Sequence, residues 1–162
     1  MNSANKLNSA LHENFKNAKL LIIDDNADHG TIMLDSASRC LPEVKPILVT
    51  TEADALTYLE RCNTEEWELP KLILLDLYLP NKQNGWRLLD QIKSLPAAMG
   101  KIPVVLLSQS TSKSDIREAY QRGCSSYMVK PRLSTDWLVQ FQSLRSYWWE
   151  TVTLPKIDYS LF

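Results

Sequence analysis

The sequence predicts an α/β protein, a (βα)5 doubly wound fold whose parallel five-stranded sheet carries helices on both faces. Three observations predict it. Five short runs, at 19–23, 47–49, 72–76, 102–107 and 125–129, have strand length, and the most apolar of them lack the polar alternation of a half-exposed sheet. The segments between them carry apolar residues at helical spacing, with stop signals. Polar or charged residues cluster where the strands end, at the edge where open α/β sheets place their sites.

Taken in order, residues 1–18 are polar, with Leu7, Leu11 and Phe15 spaced four apart as on a short amphipathic helix. The first strand, KLLII, runs directly into Asp24 and Asp25. Asn26 and Asp28 suit a helix start, Ile32, Met33, Ala37 and Leu41 give it an inner face, and Pro42 stops it. After the strand at 47–49, a helix from Glu52 to about Cys62 turns Ala53, Leu56 and Leu59 inward. The stretch LILLDLYLP, from Leu72 to Pro80, is the third strand and carries Asp76 at its end. Asn84 and Gly85 predict a turn, followed by a helix through Leu88, Leu89, Ile92 and Leu95.

The strand at 102–107 ends on Ser108. Ser112, three residues before Asp115, is a capping-box variant, so a helix over 113–121 is expected to close near Gly123. The fifth strand runs into Lys130 and Pro131, and a helix over 135–149 completes the series. Consecutive strand–helix units imply right-handed crossovers. The chain therefore divides into an N-terminal extension (1–18), one domain (19–149) and a C-terminal extension (150–162).

Composition narrows the function. A chain of 162 residues, 44% hydrophobic and with four glycines, has the makeup of a single globular domain. A net charge of −1 gives no field for nucleic acid. The absence of a long apolar run and of a signal-peptide core points to the cytoplasm and away from the membrane. Cys40, Cys62 and Cys124 lie far apart and suit reduced structural thiols.

In a parallel sheet the strand ends converge on one edge, which would gather Asp24, Asp25, Asp76, Ser108 and Lys130. Crowded carboxylates repel one another unless a divalent cation neutralises them, and Mg2+ is the natural choice for carboxylate oxygens beside a phosphate. A carboxylate flanked by Mg2+ and an ammonium is suited to accept a phosphoryl group. Taken singly, Asp25 as a helix cap, Ser108 as a loop hydroxyl and Lys130 as a surface lysine would each be unremarkable residues. Their joint placement at successive strand ends is what calls for a shared chemistry.

These residues resemble the receiver domains of two-component response regulators, with their flavodoxin-type, CheY-like fold, over about 19–149. The resemblance implies strand order 2-1-3-4-5 and a phosphoacceptor, Asp76, served by Ser108 and Lys130. It implies Mg2+ held by Asp24, Asp25, Asp76 and the backbone carbonyl of Tyr78. Tyr127 matches the switch aromatic, which moves inward with Ser108 on phosphorylation, and the Lys130–Pro131 bond is expected to be cis. Gln109 and Tyr78 are bulkier than many family members carry, and they are expected to overhang the phosphoryl group and obstruct the attacking water.

The ending WWETVTLP is similar to the C-terminal extension of the stand-alone regulators that pair with cyanobacterial and other bacterial phytochromes. It implies a light-sensing histidine kinase as phosphoryl donor and supports a homodimer. The residues point to that dimer themselves, since the last helix is more apolar than one inward stripe requires and this surplus face, with the arm after it, would meet a second copy through Trp148, Trp149, Val152 and Leu154. Output by contact with a downstream protein is expected. The competing expectation is that the arm folds back over its own domain. Two other functions compete with this one. A dehalogenase-type phosphatase would need an acid two residues after Asp76, where Tyr78 stands. A dimeric receiver-fold interaction module that is never phosphorylated would keep the fold without the transfer.

Overall fold

The computed structural model describes residues 3–155. Five strands, β1 (Lys19–Ile23), β2 (Lys45–Val49), β3 (Leu72–Asp76), β4 (Val104–Ser108) and β5 (Ser126–Val129), form one sheet in the order β2-β1-β3-β4-β5. Every pairing is parallel. The helices are α1 (Ser3–Phe15), α2 (Ala27–Cys40), α3 (Glu52–Arg61), α4 (Lys82–Lys93), α5 (Lys113–Gln121) and α6 (Ser134–Leu144).

The period of two in β1 and β3 divides the core. Leu21, Ile23, Ile73 and Leu75 face a layer with residues of α3, α4 and α5, while Leu20, Ile22, Leu72 and Leu74 face one with α2 and α6. All eight are fully buried, at roughly 2 kcal/mol of transfer free energy each, so a one-residue slip of register is strongly disfavoured. The edge strands β2 and β5 are only partly buried.

Three expectations about the elements change. Asn84 and Gly85 do not form a turn. Asn81 caps α4 by accepting the amide of Asn84 at 3.0 Å, and both residues lie inside the helix. A Cβ on Gly85 would lie 1.8 Å from the Leu77 carbonyl oxygen, so the glycine serves close packing of α4 on the segment after β3. β2 begins two residues earlier than predicted, because an edge strand tolerates Pro46. β4 begins two residues later, after a 3-10 turn at Ala97–Lys101.

The last helix changes pitch. After Leu144 it widens into a π-helical stretch, Arg145–Trp149, with the Glu150 and Val152 amides bonding back five residues to Arg145 and Tyr147. The wider turn buries the adjacent Trp148 and Trp149 together.

Trp148, Trp149, Val152 and Leu154, expected to meet a second copy, instead pack into the chain's own α2–α6 layer. The cover comes from α1. Asn14, buried near its end, donates to the carbonyls of Trp149 (3.0 Å) and Val152 (2.6 Å) and accepts the Leu154 amide (3.0 Å). Arg145 lies 4.9 Å from the Phe15 ring centre and pairs with Glu43 and Glu150. No helix among the described residues is long and apolar enough to cross a membrane. The three cysteines are free, and burial pushes the Cys62 and Cys124 thiols up to about 11.

Candidate functional site

The strand order reverses between β1 and β3, and there the acids meet. Asp24 and Asp25 leave the end of β1, Asp76 closes β3, and carboxylate oxygens of all three lie within 4.8 Å of one another. Asp24 and Asp76 are buried and Asp25 is exposed, so the cluster opens to solvent on one side. The registers that pair Asp76 with Leu107 and Ser108 with Val129 bring the hydroxyl of β4 and Lys130, just past β5, to the same edge.

Lys130 joins the cluster. Its ammonium lies 2.7 Å from Asp24 Oδ2 and 3.3 Å from Asp76 Oδ2, with all three residues at least nine-tenths buried. The other oxygens are fixed by backbone, with Asp24 Oδ1 accepting the Asn26 amide at 2.9 Å and Asp76 Oδ1 that of Tyr78 at 3.2 Å. Burial drives the Asp76 carboxyl from its ordinary 3.8 up to about 7, against the pull of Lys130, and the neighbouring Asp24 charge adds to the rise. A carboxylate held this way gains from any cation that joins the cluster. Three carboxylates with one solvent-facing side fit a hard divalent ion that keeps part of its water, and Asp24, Asp25 and Asp76 form an acid cluster of the kind at which receiver domains bind Mg2+ or Mn2+.

A cleft of about 450 Å3 lies over Asp76, lined by Asp25, Asn26, His29, Tyr78, Gln109, Ser110 and Lys130. Tyr78 and Gln109 thus both border the space above the acceptor, and the Tyr78 side chain is exposed. Ser108 is fully buried and accepts the Ser110 amide at 3.0 Å. Tyr127 is half-buried, and its hydroxyl donates to the Ser110 carbonyl at 2.8 Å, tying the aromatic to the loop after Ser108.

The expected cis bond is corrected. Lys130–Pro131 is trans, and the cis proline bond among the described residues is Leu79–Pro80. An X–Pro bond prefers trans by only ~1 kcal/mol, so the surrounding fold, not the local sequence, selects the isomer.

Two groups went unread in the sequence. His29, in the first turn of α2, brings Nδ1 to 3.1 Å from the Lys130 ammonium. Asp115, read only as a cap partner, is buried and accepts Ser110 Oγ at 2.7 Å and the Lys82 ammonium at 2.9 Å. A histidine four residues after an acid pair carries no pattern of its own. Its one cue was its place in the turn that leaves the strand end.

A doubly wound sheet with an acid cluster and an ammonium gathered where its order reverses, and a hydroxyl closing the neighbouring strand β4, defines a CheY-like receiver fold. The chain belongs to the response regulator receiver domain family, whose profile matches residues 20–140. It is 31% identical over 137 residues to response regulator Rcp1 of Synechocystis sp., spanning 84% of this chain and 92% of that one. It is 33% identical over 129 residues to a probable methanogenesis regulatory protein, FilR2, of Methanothrix harundinacea, spanning 80% and 82%. Among solved structures, the Mn2+-bound form of Rcp1 superposes with a TM-score of 0.74 at 30% identity, covering 86% of this chain and 99% of that one. The phosphorylated cyanobacterial phytochrome response regulator RcpA superposes at 0.76 and 28% identity, with the same coverage. Its homologues thus include phytochrome-associated regulators.

Proposed function

We propose that this receiver accepts a phosphoryl group on Asp76 from the phosphohistidine of a histidine kinase and signals by contact with another protein. The observation that carries this reading is the buried Asp76 carboxylate, 3.3 Å from the Lys130 ammonium in a cluster of acids open on one side. In the transfer, an Asp76 carboxylate oxygen bonds to phosphorus as the phosphorus–nitrogen bond breaks, and the electron pair stays on the donor imidazole. Asp24, Asp25 and Asp76, with the Tyr78 carbonyl, would hold Mg2+, which would supply charge neutralisation. Lys130 places its ammonium against the transferring oxygens, and Ser108 donates to one of them. Drawing Ser108 toward the phosphoryl group shifts the Ser110 loop, and the Tyr127 hydroxyl bond passes that shift to β5.

The phytochrome-associated homologues support a light-sensing kinase as donor. A homodimer belongs to this reading through exposed apolar groups at the end of β5, at the start and on the outer face of α6 and on the π-helical stretch, Val129, Leu133, Val139 and Tyr147. Paired substitutions Leu133→Asp and Val139→Asp are expected to lower the molar mass measured in solution.

Acetyl phosphate with Mg2+ is expected to change tryptophan fluorescence in the native chain and to leave Asp76→Asn unchanged. Silence in both would favour the second reading, a receiver-fold interaction module that is not phosphorylated, which Tyr78 and Gln109 at the mouth of the cleft would suit. Under the leading reading these side chains obstruct the attacking water. Gln109→Ala is then expected to speed dephosphorylation about tenfold, a barrier change of ~1.4 kcal/mol. An unchanged lifetime of the phosphorylated state would remove that role.

A further inference from the structure

We propose that His29 is a positioning residue for phosphoryl binding, holding one proton of the Lys130 ammonium in reserve for the incoming oxygen; this rests on Asp76 being the acceptor. An ammonium has three donors and no acceptor. In this chain its partners are Asp24 Oδ2 at 2.7 Å, Asp76 Oδ2 at 3.3 Å and His29 Nδ1 at 3.1 Å. Since Lys130 can only donate, Nδ1 must accept, which places the ring proton on Nε2.

The three partners are unequal. Two are acid oxygens, Asp24 by a hydrogen bond and Asp76 by an ion-pair contact, and opposite charge holds both to the ammonium. The third is a neutral ring nitrogen, the weakest of the set. A phosphoryl oxygen arriving in the cleft displaces the weakest bond first, and His29 lines that cleft. Without His29, the third N–H has no fixed acceptor, the ammonium settles between the two carboxylates, and it must reorganise when the anion binds. Preorganised donors avoid that cost.

The imidazole is built in. The His29 amide donates to the capping Asn26 Oδ1 at 3.1 Å, which anchors its backbone at the start of α2. The Trp137 ring of α6 stands 6.0 Å away, centre to centre, and backs the imidazole. His29 Nδ1 is also 3.9 Å from Asp24 Oδ2, but it is not among the mutually close acid oxygens, so its bond is to the lysine and not to the ion site.

Beryllofluoride, a phosphoryl mimic, is the probe, titrated with Mg2+ and followed by fluorine NMR of the bound species, in the native chain, Asp76→Asn, His29→Ala and His29→Gln. Mg2+ affinity is titrated separately. His29→Ala is expected to weaken beryllofluoride binding five- to tenfold with Mg2+ affinity unchanged within twofold, and His29→Gln, whose amide oxygen can accept from Lys130, to recover most of the loss. The inference is overturned if His29→Ala binds the mimic as the native chain does, if Mg2+ affinity falls in parallel, or if His29→Gln is as weak as His29→Ala. A native chain that binds no beryllofluoride, like Asp76→Asn, overturns the acceptor reading itself and this role with it.

Discussion

Asp76 shows how one side chain couples site and stability. Its folded carboxyl titrates near 7, above its ordinary 3.8, because burial penalises the charge. The folded state therefore binds the proton more tightly than the unfolded one. The stability this contributes is complete below about 3.8 and is lost as pH rises through about 7. In metal-free protein, Asp76→Asn is expected to raise stability at pH 8 by a few kcal/mol, with a smaller gain at pH 5. Urea unfolding at the two pH values measures it, and a larger gain at pH 5 would reverse the sign of the argument. The same residue was legible in the sequence only through its company at the other strand ends, because a lone acid closing an apolar strand serves equally well to open the next turn. Its pKa was not, since that depends on Asp24 and Lys130 arriving from distant positions.

At the scale of elements, the strands were readable and the helix ends less so. The runs at 19–23 and 72–76 match β1 and β3 because burial on both faces demands unbroken Leu and Ile. Asn84 and Gly85 misled because the pair is a turn signal in isolation, whereas Asn81 starts the helix first and Gly85 answers a steric need inside it. Gly85→Ala would force α4 away from the Leu77 carbonyl, one residue beyond Asp76. A loss of ~3 kcal/mol or more is expected in chemical denaturation, in the range of overpacked sites. The outer end of the molecule turns on Asn14, invisible as a core residue because a polar amide gives no periodic signal. It bonds two carbonyls and an amide, so Asn14→Ala is expected to cost about 2–4 kcal/mol by leaving buried groups unpaired. Asn14→Asp should cost more, because a carboxylate would face both carbonyls. Equal stability of the two variants would show that the amide donors do not hold the segment.

Across the whole molecule, α1 meets the segment 145–154 on one flank while the acids meet at the strand ends, and the sequence disclosed these unequally. Alternation of strand and helix fixes where strand ends go, so Asp24, Asp25, Asp76, Ser108 and Lys130 could be brought together without coordinates. Nothing in the alternation says that α1 covers Trp149 and Leu154, because a surplus apolar face reads the same whether its own chain or a second copy covers it. The site itself sets the last expectation. Folding brings Asp76 to the adjacent Asp24 and Asp25, from which the unfolded chain keeps it apart, so an ion that needs all three stabilises the folded state. At a Mg2+ concentration a hundredfold above its dissociation constant this is worth ~2.7 kcal/mol. In a chain of this size it would raise Tm by roughly 5–10 °C. Because Asp76 holds its proton below about 7, the ion must displace that proton in acid, and the shift should be largest at pH 8 and shrink toward pH 5. Differential scanning calorimetry with and without Mg2+ at both pH values decides it. A shift independent of pH would mean that the ion binds without Asp76, and the cluster would then not be the metal site.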